Sequence, residues 1–378
     1  MNVPFFKIHQ RQEDVDAVSA IIKRGSHWAL GPEINQFELE LAHYIGTKYA
    51  TTFNSGTSAL HAMLLAYDIK AGDEVIVPSF TFIATANAVK MVGAKPIFAD
   101  IDSTSYGLSF DSVYEKITPK TKAIMPIHYA GGICWDTQAL QELCKEKNIL
   151  FLEDAAQSFG ASLKGQKAGT FGDASIFSFC QDKVLPLGEG GCVVTDNKEL
   201  YEKMKLIRSH GRIETGENYF SSTDTFDYST LGYNWRMPTI LAALGLSQLK
   251  RIDETIKLRQ EKGRFYHECI MKLKMNKKIY CPYVDSERYN HVCQKYTIQT
   301  EKRDNLQRYL KSMDIQSRAY FGLPVHLTQY YQSLGYKDKL QTTESLAKKV
   351  LSLPIYPDIT KAEIKYVVDT VREFFACN

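Results

Sequence analysis

No run of 18 or more apolar residues occurs in the 378-residue sequence, and a helix needs about 20 to cross a bilayer. No membrane span is expected. The first ten residues lack an apolar core of signal-peptide length, so no leader is expected either. The eight cysteines are scattered and form no CxxC pair. That spacing excludes a zinc knuckle and suits free thiols in a reducing cytoplasm, where the chain is expected to reside. Neither charge sign dominates: 46 Lys and Arg stand against 43 Asp and Glu. A dedicated nucleic-acid surface needs a clustered basic face, so no nucleic-acid partner is expected. Repeats, low-complexity linkers, a GxGxxG fingerprint and a P-loop are missing too.

What is present is an ordinary soluble composition, long enough for two cores. From residue 45 to 195, short β-rich runs alternate with helical runs. Strands are expected at Tyr49–Phe53, Glu74–Val77, Lys95–Phe98, Ala123–Pro126, Ile149–Leu152, Ser175–Phe179 and Cys192–Thr195. Helices are expected at Ser58–Tyr67, Ile83–Met91 and Thr137–Lys147. This alternation predicts an α/β fold, a mostly parallel sheet between helices. Ligand groups in such a fold gather at the carboxyl ends of the strands. A charged helical stretch, Glu254–Lys274, opens a smaller α+β region that closes with a helix at Lys361–Phe375. The division is expected near Glu254, giving a large domain 1–253 and a small domain 254–378.

Three segments carry chemistry. Asn54-Ser55-Gly56-Thr57-Ser58 follows a strand and opens a helix. Backbone N–H groups at a helix start make an anion site, although Ser and Thr are also ordinary N-caps. Glu153-Asp154 ends an apolar strand, where a carboxylate could hold a cation, a metal or a protonated ring nitrogen. Lys183 lies just past a strand and before Gly188-Glu189-Gly190-Gly191. A lysine withdrawn from water loses its proton more readily and can bond to a carbonyl cofactor. Together these are the three anchors that pyridoxal 5'-phosphate (PLP) requires: a phosphate cradle, a carboxylate for the pyridinium nitrogen, and a lysine. No metal is expected.

The sequence resembles the DegT/DnrJ/EryC1/StrS family, the sugar-nucleotide aminotransferases of PLP fold type I. The resemblance runs over nearly the whole chain. It rests on Trp28-Ala29-Leu30-Gly31-Pro32, Asn54-Ser55-Gly56-Thr57, Val77-Pro78-Ser79-Phe80-Thr81-Phe82 and Pro126-Ile127-His128. It continues through Glu153-Asp154-Ala155-Ala156-Gln157 and the Lys183 segment. It closes with Gly232-Tyr233-Asn234-Trp235-Arg236-Met237, Pro324-Val325-His326-Leu327 and Leu353-Pro354-Ile355-Tyr356-Pro357.

The resemblance implies roles. Lys183 would form the internal aldimine and carry the proton, and Asp154 would pair with the pyridinium nitrogen. Phe82 would stack on the ring, or serve as plain core. Gly56, Thr57 and Ser178 would hold the phosphate, and Gln157 would lie near the ring hydroxyl. Asn234 would reach the phosphate of a neighbouring subunit's cofactor, implying a homodimer with shared sites. Leu30, His128, Arg236, Arg318, Tyr320 and His326 are candidate substrate residues, with structural roles as the plainer alternative. Cys180 and Val184 depart from the usual family residues around the lysine, which weakens inference about substrate.

The implied reaction moves nitrogen from L-glutamate to a UDP-, dTDP- or GDP-linked keto sugar. C4 of a 4-keto-6-deoxyhexose is favoured over C3, for an O-antigen, lipopolysaccharide or other glycan. A PLP-dependent sugar dehydratase is disfavoured, because such family members carry His in place of the lysine. A non-catalytic PLP sensor would need a read-out module, and none is expected. Cys192 falls inside an expected strand, which disfavours a desulfurase nucleophile.

Overall fold

A computed structural model describes residues 1–213, 220, 222–223, 225–273, 278–281, 285–286 and 289–377. Seven strands form the main sheet: β1 (Tyr49–Phe53), β2 (Glu74–Pro78), β3 (Lys95–Ala99), β4 (Thr121–Ile124), β5 (Leu150–Asp154), β6 (Ala174–Ser178) and β7 (Gly191–Thr195). Their order is β1-β7-β6-β5-β4-β2-β3. All run parallel except β7, which is antiparallel to both neighbours.

Alternation along the strands creates two cores, one on each face. Ile76, Ile124, Phe151, Phe177 and Val194 point into the first, with Phe37 and Leu41 of the Pro32–Ile45 helix. Val75, Val77, Leu152, Ile176 and Val193 point into the second, with Leu60, Met63 and Leu64 of the Gly56–Ala66 helix. A sheet covered on both faces explains why its strands read as near-continuous apolar runs.

A third core gathers around two antiparallel strands, Tyr296–Gln299 and Val350–Leu353. Tyr266 of the Ile252–Lys272 helix packs there, as do Leu306 and Leu310 of Arg303–Ser312 and Val367 of Lys361–Cys377. Val3 joins this core from the other end of the chain. The expected boundary at Glu254 falls in the first turn of the Ile252–Lys272 helix. Residue 274, where that helix was expected to end, lies outside the described residues. No helix among the described residues is long and apolar enough to cross a membrane.

Two shifts in bounds have local causes. The helix after β1 starts at Gly56, not Ser58, because the Ser55 side chain caps it by accepting the Ser58 N–H at 3.0 Å. β5 reaches Asp154 because its N–H donates to the Pro126 carbonyl at 2.9 Å, carrying the pairing past the apolar residues.

Candidate active site

The topology brings the three segments to one edge. β1, β6 and β5 all point the same way, so Asn54–Gly56, Ser178 and Asp154 emerge together. β7 runs back from that edge, with Gly191 opposite both Phe53 and Ser178. Contact here is close enough to require glycine. A Cβ on Gly56 would sit 3.0 Å from Ser178 Cβ and 3.3 Å from its Oγ. One on Gly191 would sit 2.7 Å from Gly56 Cα. Ser55 takes up the Ser58 amide, and the amides of Gly56 and Thr57 open the first turn, where no carbonyl lies four residues back. Those N–H groups, the helix start and Ser178 form a phosphate-sized cradle.

Asp154 is 3% exposed. Thr85 Oγ1 donates to its Oδ2 at 2.7 Å, and the Ala156 N–H to its Oδ1 at 3.2 Å. Burial raises its pKa, opposed by those two donors and by the positive charge of Lys183 nearby. A buried carboxylate of this kind calls for a cationic partner. Lys183 has a 15% exposed side chain, and its Nζ lies 3.9 Å from Asp182 Oδ1. Phe82 is 60% exposed and lies between Thr81 and the Ala84–Met91 helix that carries Thr85. The buried Gln157 accepts the Ala130 N–H through Oε1 at 2.9 Å.

The remaining candidates are placed differently. His128 is fully buried, its Nε2 2.8 Å from Glu153 Oε2 and its Nδ1 accepting the Cys134 N–H at 3.3 Å. Both ring nitrogens are thus taken by the protein. Glu153 also accepts the N–H groups of Gly169, Phe171 and Gly172 and the Ser175 hydroxyl. Burial opposes its charge, but His128 and these donors hold its pKa below the usual carboxylate range. His326 is buried as well: Ser79 Oγ accepts its amide N–H at 3.0 Å and lies 2.6 Å from its Nδ1. Arg318 is exposed and donates to the Tyr320 hydroxyl at 2.9 Å.

The segment holding Asn234 and Arg236 runs beside the cradle of its own chain, since the Trp235 carbonyl accepts the Asn54 N–H at 2.8 Å. Asn234 is exposed, and Arg236 donates to Ser209 Oγ at 3.2 Å. Leu30 is half-buried, with φ 55°, next to the Ala29–Pro238 bridge. The structure therefore groups Gly56, Ser178, Asp154 and Lys183, and places the Tyr320 ring under the Lys295 ammonium that pairs with Asp182.

Sequence reasoning missed Thr85, Asp182 and Lys295, and read Glu153 only as half of an acid pair. Lys295 is 2% exposed by side chain, and its Nζ lies 2.8 Å from Asp182 Oδ2. Burial lowers its pKa to about 8. Burial works against the charge on Asp182 too, but Lys295 and Lys183 hold its pKa at about 2. The acid beside Lys183 was a visible signal for Asp182; its partner was not.

The residues present fit PLP: a glycine-walled anion cradle, a buried carboxylate and a lysine nearby. A sequence profile of the DegT/DnrJ/EryC1/StrS aminotransferase family matches residues 9–372. The chain belongs to that family. It is a PLP-dependent aminotransferase with the aminotransferase fold.

It is 37% identical over 349 residues to a GDP-perosamine synthase of Escherichia coli O157:H7, covering 92% of this chain and 91% of that one. It is 33% identical to a UDP-N-acetyl-3-dehydro-alpha-D-glucosamine 3-aminotransferase of Acidithiobacillus ferrooxidans, over 96% and 94% of the two chains. A protein of Geobacillus stearothermophilus named a pleiotropic regulatory protein is 34% identical, over 99% of both. Among solved structures, Helicobacter pylori PseC, an aminotransferase involved in the biosynthesis of pseudoaminic acid, aligns with TM-score 0.92 and 28% identity over 100% of both chains. A Streptococcus pneumoniae relative solved in its PLP form aligns with TM-score 0.91 and 25% identity, over 100% and 99%.

Proposed function

We propose that this cytoplasmic enzyme transfers nitrogen from L-glutamate to a nucleotide-linked keto sugar, at C4 of a 4-keto-6-deoxyhexose. The product would feed amino-sugar synthesis for an O-antigen, lipopolysaccharide or other glycan. The GDP- and UDP-sugar names of the relatives support the substrate class. The preference for C4 over C3 rests on C4 amination being the commoner family reaction. The observation that carries the reading is the buried Asp154 carboxylate, which feels the charge of Lys183, at the sheet edge that also holds Gly56 and Ser178.

When bound, PLP supplies an electron sink that makes the carbon bearing the nitrogen acidic. This chain does the rest. Lys183 Nζ would hold the cofactor and would carry the proton to and from that carbon. Asp154 holds the proton on the ring nitrogen through an ionic hydrogen bond. The amides of Gly56 and Thr57, with Ser178 Oγ, bind the phosphate. Phe82 would cover the ring, Gln157 would lie near its hydroxyl, and Asn234 would serve a partner subunit's site. The large domain ends at residue 253 and the small domain begins at 254. Lys183 also favours transamination over dehydration, since a dehydratase of this family replaces it with His.

Borohydride treatment of the purified enzyme should abolish its visible absorbance and leave the label on Lys183. Label on a different lysine would overturn the assignment. Screening glutamate against UDP-, dTDP- and GDP-linked 3-keto and 4-keto sugars, with mass-spectrometric detection, decides the substrate. An enzyme that aminates only 3-keto sugars would refute the C4 proposal. One that transfers nothing while retaining PLP would favour a regulatory role.

A further inference from the structure

Asp182 lies between two ammonium groups. Its Oδ1 is 3.9 Å from Lys183 Nζ and its Oδ2 is 2.8 Å from Lys295 Nζ. The arrangement is built rather than adventitious. The Gln294 side chain donates to the Asp182 carbonyl at 2.8 Å, fixing the backbone that carries the acid. Lys295 donates its own amide to the Ala130 carbonyl at 3.0 Å. Its ammonium sits 4.2 Å over the Tyr320 ring and 5.4 Å over the Phe5 ring. A buried ammonium is costly unless paired, and among the described residues the carboxylate that pairs with Lys295 is that of Asp182. Burial pulls the Lys295 pKa down to about 8, so its hold on Asp182 is what keeps it charged near neutrality.

We infer that Asp182 and Lys295 are positioning residues for Lys183: Asp182 pairs with the Lys183 ammonium whenever that amine is free, and Lys295 limits this hold by competing for the same carboxylate. The inference rests on the proposed role of Lys183 as the covalent anchor, which must be released and recovered in each turnover. Without Asp182, the free ammonium would face Lys295 with Asp154 as a counter-charge. Without Lys295, Asp182 would be left to Lys183 and the charge of Arg259, and would hold the Lys183 amine more closely. The two substitutions therefore act on one amine in opposite directions, which a merely structural role would not do.

The test is trace acetylation of Lys183 in the full-length holoenzyme by acetic anhydride at pH 7.5 (a chosen assay value, roughly neutral), with and without L-glutamate, counted by peptide mass spectrometry. Only the unprotonated, unattached amine reacts. With glutamate, Asp182→Asn is expected to speed acetylation roughly fivefold or more, and Lys295→Met to slow it roughly threefold or more. Lys295→Arg should return to the parent rate. Should Asp182→Asn fail to fold, the contrast between Lys295→Met and Lys295→Arg still decides. Changes in the same direction, or none, overturn the inference. The glutamate dependence reports separately on the anchor: if Lys183 reacts equally with and without glutamate in the parent enzyme, the proposed role of Lys183 fails, whatever the variants do.

Discussion

Thr85 donates a 2.7 Å hydrogen bond to Asp154 Oδ2, and its own oxygen lies 2.7 Å from Thr81 Oγ1. The bond fixes the rotamer of the carboxylate proposed to meet a cationic ring nitrogen. Thr85→Val keeps the shape and removes the donor. A hydrogen bond to a charged group contributes about 1.5–3 kcal/mol, so PLP affinity should fall roughly 10- to 100-fold. Thr85→Ser should keep most of it. Spectrophotometric titration of the cofactor-free enzyme measures both; equal affinity in Thr85→Val and parent would mean that Asp154 needs no such support.

Asp154→Asn separates charge from shape. Burial disfavours the Asp154 carboxylate, so the cofactor-free variant should melt at a higher temperature than the parent. The glutamate half-reaction, followed by stopped-flow absorbance, should slow by at least roughly 10²-fold. A variant that transaminates at the parent rate would remove Asp154 as the ring partner.

His291 contributes to the pH dependence of stability. It is half-buried, its Nδ1 accepts the Cys293 N–H at 3.0 Å, and burial lowers its pKa from 6.5 to about 4. The unfolded chain binds the proton first as pH falls, so stability is retained above pH 6.5 and drains away between 6.5 and about 4. The full loss is about 3 kcal/mol. His291→Gln should flatten that part of the curve in urea unfolding across the window. An unchanged slope would place the acid sensitivity of that window elsewhere, for instance at the half-buried His61, whose pKa burial also lowers.

Local pattern carried the scaffold and distance hid the support. Tyr49–Phe53 and Thr137–Lys147 fall where expected, because a buried strand and an amphipathic helix announce themselves by period. Gly56, Asp154 and Lys183 were legible for a related reason: each stands where a strand gives way to a turn, and that is where this fold presents ligand groups. Thr85 is 69 positions from Asp154, and Lys295 is 113 from Asp182. No period links such pairs; only the folded packing does. His128 and His326 could be found by motif, yet their burial against Glu153 and Ser79 is a property of the packed chain that composition does not encode.

Arg236 is the test of how the substrate's diphosphate is held. Its guanidinium donates to Ser209 Oγ at 3.2 Å, beside a backbone that Asn54 ties to the cradle through the Trp235 carbonyl. Arg236 therefore stands near the phosphate turn of its own chain, while the exposed Asn234 next to it is placed to reach outward. A two-fold dimer would bring both onto a shared seam. Arg236→Ala should raise the sugar-nucleotide KM roughly 10- to 100-fold, the equivalent of one or two charged hydrogen bonds. The glutamate half-reaction, which involves no diphosphate, should stay nearly unchanged. Steady-state kinetics with the nucleotide sugar, single-turnover kinetics with glutamate and sedimentation of the same samples separate the possibilities. If KM rises and the dimer persists, the guanidinium itself meets the substrate. If the dimer dissociates and both half-reactions fail together, Arg236 acts through the seam, and the diphosphate partner becomes Arg318, whose guanidinium already bonds the Tyr320 hydroxyl. An unchanged KM in an intact dimer would remove Arg236 from the substrate site.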